Sequence, residues 1–354
     1  MSVGYTSVQW SRHKVIYDLI VIAFIAIYVI AFVAVSKLLH NGTSAISDEV
    51  TLIRATGSCA IVLLHIILCI GPLARLEKRF LPLLYNRRHL GVITFLVSLV
   101  HAIVVTGYYH GFGVLNPLIS LLTSNTSFDS LAAFPFELPG LAALIILFFM
   151  AATSHDFWLR NLSARVWKTL HMLVYIAYML LVAHVALGAM QSDQFMLLGG
   201  LMLAGALIVS GVHITAGLHE RRIDRGLPAV DGQWVDVGPA HDIPQDRARV
   251  VCTPRGERIA VFRSGDQVSA ITNVCAHQGG PLGEGKVIDG CVTCPWHGWQ
   301  YRAQDGCAPS PFVEKVATYQ VRVVAGRVQV STYALPPGTP TTPVSAGTAQ
   351  EARA

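Results

Sequence analysis

The chain has 354 residues, a formal net charge of +5, and only 13% charged against 53% hydrophobic residues. With a mean hydropathy of +0.51 it is too apolar for an ordinary soluble protein, in which about a quarter of the residues are charged. The small positive excess sorts to one side of the apolar segments and does not call for a nucleic-acid partner.

Six apolar stretches are long enough to cross a hydrocarbon core of about 30 Å. They lie near 15–36, 52–72, 90–109, 138–156, 167–189 and 195–217. The first is too long for a signal peptide and lacks a small-residue cleavage site. Basic residues such as Arg12, Arg75, Arg87, Arg88, Lys168, Arg221 and Arg222 crowd one side of these spans, and only Lys37 and Arg54 lie on the other. The positive-inside bias puts both termini in the cytoplasm. The expectation is a multi-pass protein of the cell inner membrane, surrounded by lipid, with a cytoplasmic N-terminus at 1–14 and a six-helix domain at 15–217.

His65, His101, His171 and His184 fall inside the predicted spans, and His89 and His213 near span ends. An imidazole in a bilayer is costly and usually faces the bundle interior with a task. One alone reads as an interhelical hydrogen bond. Four of them, in a chain that also carries the iron–sulfur ligand pattern described below, point to haem. Bis-histidine ligation leaves the iron no open position and suits electron transfer. His171 and His184 are 184 − 171 = 13 residues apart, about 20 Å along a helix. Thirteen residues at about 3.6 per turn do not return to one face, so the two rings meet different neighbours or the helix is distorted.

Three stretches carry a resemblance: Thr56-Gly57 to Pro72-Leu73-Ala74-Arg75; Arg87-Arg88-x-Leu90-Gly91 with Phe95 and His101; and Trp167 with Leu170-His171, Val174-Tyr175 and His184. They resemble the ferric reductase-like transmembrane family, most closely its methionine sulfoxide reductase haem-subunit branch. The resemblance implies haem b at His101, His171 and His184, and two haems in all. His101 and His184, deep from the basic rim, are paired on the outer haem. His171, near the rim, needs a partner on the inner haem. His65 is the expected one, although that branch has an apolar residue there, and His89 is the rival. Arg75, Arg87, Arg88, Arg165 and Lys168 are placed to meet haem propionates and serve equally as a plain positive-inside rim. Members of the wider family carry a flavin- and nicotinamide-binding half after the last helix. No G-x-G-x-x-G following a strand and no such half is found here. A quinone or a flavin stays open as a further cofactor.

After 217 the helical pattern stops. A basic linker at 218–230 leads into strand-like runs such as Arg249–Cys252 and Ile259–Arg263, and these predict an all-β domain over 231–333. The Pro-, Thr-, Ala- and Gly-rich stretch 334–354 is expected to be disordered.

Within the β domain, Cys275-Ala-His277 is followed, 294 − 277 = 17 positions later, by Cys294-Pro-Trp-His297. Each loop mixes one thiolate with one imidazole. That is the ligand set of a Rieske [2Fe–2S] centre, where two Cys hold one iron and two His the other. Structural zinc also takes two Cys and two His, but it groups like ligands in close pairs. Gly279, Gly280, Gly283 and Gly298 allow close backbone approach, and Pro281, Pro295, Pro309 and Pro311 stiffen the covering loops. From Trp234 to Ser331, through the octapeptide 275–282, the hexapeptide 294–299 and Tyr301, the chain resembles the Rieske ferredoxin family. It departs from the high-potential quinol-oxidising branch. Gly280 and Trp296 stand where that branch has a disulfide pair, and Trp299 where it has a serine. Fewer hydrogen bonds to the cluster imply a potential at the low end of the roughly −150 to +300 mV range. Cys291 reads as a small buried hydrophobe on a strand.

The sequence thus predicts a membrane α-helical bundle of six transmembrane helices plus a C-terminal all-β Rieske domain. Single electrons would run from a soluble reductase or ferredoxin-type donor through the cluster and the haems to a quinone or a periplasmic acceptor. Two alternatives stay open. In one, quinol-fed haems supply a cytoplasmic oxygenase through the cluster. In the other, the chain is a redox sensor or docking scaffold.

Overall fold

The computed structural model describes residues 12–39, 46–130, 134–154, 158, 162, 164–190, 195–225, 229–230, 232–277, 279–296, 298–310 and 312–346. It divides into two units, one of residues 10–71 and 86–213, the other of residues 72–85 and 214 onward.

Among the described residues the helices are α1 (Arg12–Leu39), α2 (Asp48–Leu76), α3 (Leu81–His110), α4 (Pro117–Thr123), α5 (Glu137–Ala152), α6 (Ala164–Met172), α7 (Val174–Met190) and α8 (Phe195–Asp224). Five spans are long and apolar enough to cross a membrane: Lys14–Leu39, Asp48–Leu76, Asn86–His110, Val166–Gly188 and Gly199–Arg222. The stretch expected to cross near 138–156 is the 16-residue α5. At 1.5 Å per residue it reaches roughly 24 Å, short of the ~30 Å core. Among the described residues five helices are thus long enough to cross, α5 is a shorter apolar helix beside them, and the count of six is not confirmed. Leu19, Phe24, Ile27 and Ile30 on α1 are exposed, as befits a surface that lipid covers.

Val166–Gly188 is not one straight helix. α6 ends at Met172, Leu173 N–H donates to Leu170 O at 3.1 Å, and α7 begins at Val174. The 13-residue spacing allowed either different neighbours for the two rings or a distorted helix, and the helix is interrupted at Leu173, two residues after His171. Around the upper part of this span, Ala143 and Leu147 of α5 and Ala177 of α7 are buried together with Phe95 and Leu180 packed on them. Small residues let α5 and α7 lie close.

The second unit is β-rich, and its strands pair antiparallel throughout. One sheet runs β1 (Ala229–Val230), β2 (Trp234–Pro239), β11 (Arg327–Ser331), β10 (Val321–Val324). A second runs β12 (Val344–Ser345), β5 (Gln267–Thr272), β4 (Arg258–Ser264), β3 (Arg247–Cys252), with β9 (Thr318–Tyr319) also on β5. A third is β6 (Lys286–Ile288), β7 (Cys291–Thr293), β8 (Gln300–Arg302). β4 explains how these layers share one body. Its alternate residues Ile259 and Val261 enter a core with Val235, Val237 and Val330. Ala260 and Phe262 enter another with Ile271, Leu282, Val292 and Tyr301. A period of two points successive side chains to opposite faces, so a strand apolar on both is buried on both.

Two sequence boundaries shift. α8 runs to Asp224, so most of the linker expected at 218–230 is helix. Its end is held by Arg258 of β4, whose guanidinium pairs with Glu220 and, at 2.6 Å, with Asp224. The tail expected to be disordered from 334 is ordered as far as 346. Leu335 N–H donates to Thr318 O at 2.9 Å, Thr341 N–H to Gln304 O at 2.7 Å and Ala346 N–H to Asp266 O at 2.7 Å. β12 pairs with the edge of β5. Composition signals a segment with little apolar surface of its own. Here the domain body supplies the hydrogen-bond partners that the segment lacks.

Candidate functional site

The two Cys/His loops are built alike. The first leaves β5 and is closed by the bridge Val274↔Pro281. The second joins β7 to β8 and is closed by Thr293↔Gln300. Cys275 N–H donates to Gly280 O at 2.9 Å, and Cys294 N–H to Trp299 O at 2.7 Å. Gly279 N–H returns to Cys275 O at 2.8 Å, and Gly298 N–H to Cys294 O at 2.9 Å. Both turns need a left-handed residue, and Gly279 (φ +73°) and Gly298 (φ +69°) provide it. The thiols of Cys275 and Cys294 are buried, 2% and 1% exposed, and free of disulfides.

The second coordination layer is in place. Tyr301 hydroxyl lies 3.3 Å from Cys275 Sγ. Burial, then the nearby thiols, raise the phenol above its ordinary pKa, so Tyr301 keeps its proton to donate to a thiolate. The ring of His277 lies parallel to Trp299, 4.2 Å between centroids and 4° between planes. Gly280 has no room for a side chain, since a Cβ would lie 2.7 Å from Cys294 Sγ. His297 and Pro311 lie outside the described residues, and among those described no group of three potential metal-binding side chains is gathered at metal-holding distance. Two buried thiols and an imidazole on duplicated loops, with a hydroxyl aimed at one sulfur, fit a [2Fe–2S] group. Burial pushes the Cys291 thiol up, in keeping with a structural residue.

In the helical unit the structure brings His101 of α3 and His184 of α7 together. Their ring centroids are 6.5 Å apart. A metal–imidazole bond of about 2 Å plus a ring radius of roughly 1 Å on each side puts two rings that share one metal about 6 Å apart. His101 Nδ1–H donates to Ile53 O at 3.0 Å and His184 Nδ1–H to Phe136 O at 2.7 Å. A backbone carbonyl on Nδ1 fixes the tautomer and leaves Nε2 as the donor atom for a metal. Gly57 and Gly140 back the two rings, where a Cβ would lie 2.8 Å from His101 and 2.7 Å from His184. The pair fits a bis-histidine haem.

His171 Nδ1–H donates to Trp167 O at 3.0 Å, and its ring stacks on Trp167 at 3.8 Å. Its Nε2 is buried without a hydrogen-bond partner, which also suits a ligand. His65 Nε2 lies 3.0 Å from the Tyr178 hydroxyl, and its ring is packed against Gly205. His89 Nδ1 lies 2.9 Å from the buried carboxylate of Asp18 on α1. The side chain of Arg165 is outside the described residues.

Sequence reasoning passed over Asp18, Tyr178 and the two glycines. Asp18 carried a signal, an acid inside an apolar run. Gly57 and Gly140 carried none beyond their residue type.

Residues 233–320 match the model of the Rieske [2Fe-2S] domain, and residues 56–182 that of the ferric reductase like transmembrane component. The anthranilate 1,2-dioxygenase ferredoxin subunit of Burkholderia cepacia is 37% identical over 103 residues, 28% of this chain and 92% of that protein. The cholesterol 7-desaturase nvd of Xenopus laevis is 37% identical over 103 residues, 28% of this chain. The match spans only about a fifth of that desaturase, 22% of its length. A solved complex of reduced oxygenase and oxidized ferredoxin in carbazole 1,9a-dioxygenase covers 31% of this chain and 96% of its own at 29% identity. Its TM-score of 0.27 is too low to carry an argument. These matches support the ferric reductase-like family at large and give no support to its methionine sulfoxide reductase branch. The chain is a membrane electron-transfer protein that joins a ferric reductase-like transmembrane domain to a C-terminal Rieske [2Fe-2S] domain.

Proposed function

We propose that the chain passes single electrons between a cytoplasmic Rieske cluster and two b-type haems, toward a quinone or a periplasmic acceptor, with both termini on the cytoplasmic side of the inner membrane. The observation that carries this reading is the His101–His184 pair, each ring tied by Nδ1 to a carbonyl and backed by a glycine. When bound, the cluster and the haems supply one-electron carriers. The chain's own residues hold, orient and shield them. Cys275 and Cys294 would hold one iron of the cluster, and His277 and His297 the other. Tyr301 donates toward Cys275 Sγ, and the buried thiols keep water from the sulfur side. His101 and His184 would hold one haem, and His171 the other. For the partner of His171, His65 is the first choice and His89 the rival: Gly205 backs the His65 ring as Gly57 and Gly140 back theirs, with the Tyr178 hydroxyl on its Nε2, while the Asp18 carboxylate lies on His89 Nδ1. A carboxylate on the far nitrogen is how a metal-binding imidazole is commonly oriented.

A second reading draws on the likeness to a dioxygenase ferredoxin subunit. There the haems are fed by quinol, and the cluster serves a cytoplasmic oxygenase. A redox titration of the purified full chain, with haem absorbance and cluster EPR read together, separates the two. A cluster potential below both haem potentials supports flow into the membrane, and one above them supports the reverse. A preparation with the rhombic cluster signal but no haem would remove the membrane half of the proposal.

A further inference from the structure

The sequence reads Trp299 as a lost hydrogen bond at the cluster, and its surroundings say otherwise. Trp299 is 7% exposed and sits in the same core as Cys275 and Cys294. Its carbonyl accepts from Cys294 N–H at 2.7 Å, which fixes it to the second loop. Its ring crosses to the first loop and lies flat on His277, 4.2 Å away and 4° from parallel. Phe312 presses on the indole edge-on at 4.3 Å. The indole is thus packed against both rings, which hold its orientation. Its Nε1–H is buried and has no hydrogen-bond acceptor among the described residues. Leaving such a donor unmet is costly, and nearly all buried donors are met.

We propose that Trp299 is a positioning residue of the iron–sulfur site, whose indole N–H donates to the bound cluster while its ring holds His277 in place. This rests on the Rieske reading of the two loops. The bridging sulfides of a [2Fe–2S] group are anionic acceptors that the described residues do not themselves provide. A hydrogen bond to cluster sulfur stabilises the reduced, more negative state and raises the potential. Trp299 therefore adds back a donor that the sequence comparison subtracts.

The test uses the full-length protein. Trp299→Phe keeps an aromatic plane on His277 and removes only the N–H. It is expected to retain the cluster and to become roughly tenfold harder to reduce, a fall of about 59 mV for one electron. Trp299→Leu removes plane and donor, and should also shift the EPR g-values that report on the imidazole ligand. A readout independent of any variant's folding comes from wild-type protein grown with indole-¹⁵N tryptophan. Pulsed EPR of the reduced cluster should show a weak ¹⁵N coupling that persists in Trp296→Phe. Absence of that coupling overturns the proposal, and so does a Trp299→Phe protein with full cluster content and an unchanged midpoint. Absence of the rhombic signal from wild-type protein would instead overturn the Rieske reading beneath it.

Discussion

Gly140 of α5 offers the sharpest test of the helical histidine pair. A Cβ at this position would lie 2.7 Å from His184 Nδ1 and 2.9 Å from Cε1. Comfortable contact needs about 3.5–4.0 Å, so close to 1 Å must be found. The ring cannot move away freely, because its Nδ1–H is bonded to Phe136 O at 2.7 Å. Giving up that bond costs about 0.5–1.5 kcal/mol, and leaving the rotamer well costs a similar amount. The helices cannot readily part, since α5 and α7 meet through buried Ala143 and Ala177. Overpacking of this kind costs about 1–3 kcal/mol. If it falls on the haem-bound form, it weakens haem binding by roughly one to two decades. Gly140→Ala, purified in full length, should therefore lose haem from the His101–His184 site, and Gly57→Ala should do the same through His101. Gly107→Ala lies on the same helix as His101 with no atom within 4 Å of its added Cβ, and should match wild type. Pyridine haemochrome content and low-spin EPR measure all three. Wild-type haem content in both Gly140→Ala and Gly57→Ala would refute the pairing.

His171→Ala should remove the haem that the His101–His184 pair does not hold, with the cluster EPR signal intact; unchanged haem content would show that its unpartnered Nε2 has no ligand role. Arg258→Ala leaves Glu220 and Asp224 without their shared cation, and should lower the thermal midpoint of the β unit by an amount equivalent to about 1 kcal/mol, read from cluster absorbance on heating. The hydrogen bond from Arg327 holds Asp236 below the usual carboxylate range, against a smaller opposing effect of burial. A depressed folded pKa contributes stability above the unfolded value of about 4, and that contribution is lost as pH falls through the folded value. Asp236→Asn should therefore melt earlier than wild type at pH 6, with the gap closing in acid; a gap that is the same at pH 6 and pH 3 would contradict the pairing.

What the sequence made legible follows from what chemistry leaves no choice about. The Cys275, His277, Cys294 and His297 spacing reads directly, since two irons need two thiolates and two imidazoles on loops short enough to converge. The apolar spans read as well, because an unsatisfied backbone in lipid forces a helix. The 13-residue interval from His171 to His184 left open different neighbours or a distorted helix, and the helix is interrupted at Leu173. Features that depend on a distant partner were not legible. The order of 334–346 depends on the carbonyls of Gln304, Asp266 and Thr318. The engagement of His65 depends on Tyr178, more than a hundred positions away. α5 stops at Ala152, where the polar run Thr153-Ser154-His155-Asp156 begins, so the boundary expected near 156 overstated its reach.

The two proposed cofactor sites share no fold, yet they meet one demand in the same way. A side chain that is to hold a metal whose charge changes with each electron must not change place, and long flexible supports would let it. In the helical unit each ring of the pair is pinned by a carbonyl on Nδ1 and pressed by a position with no side chain, Gly57 or Gly140. In the β unit the sulfur of Cys294 is pressed in the same manner by Gly280, and each Cys is closed into its loop by main-chain hydrogen bonds. Backbone and glycine hold these ligands where flexible side chains could not, so the ligand geometry is set before a metal arrives. Such sites fail from behind. A methyl group placed at a backing glycine would displace a side chain that is itself unaltered, so damage to electron transfer would extend to residues that bind no metal themselves.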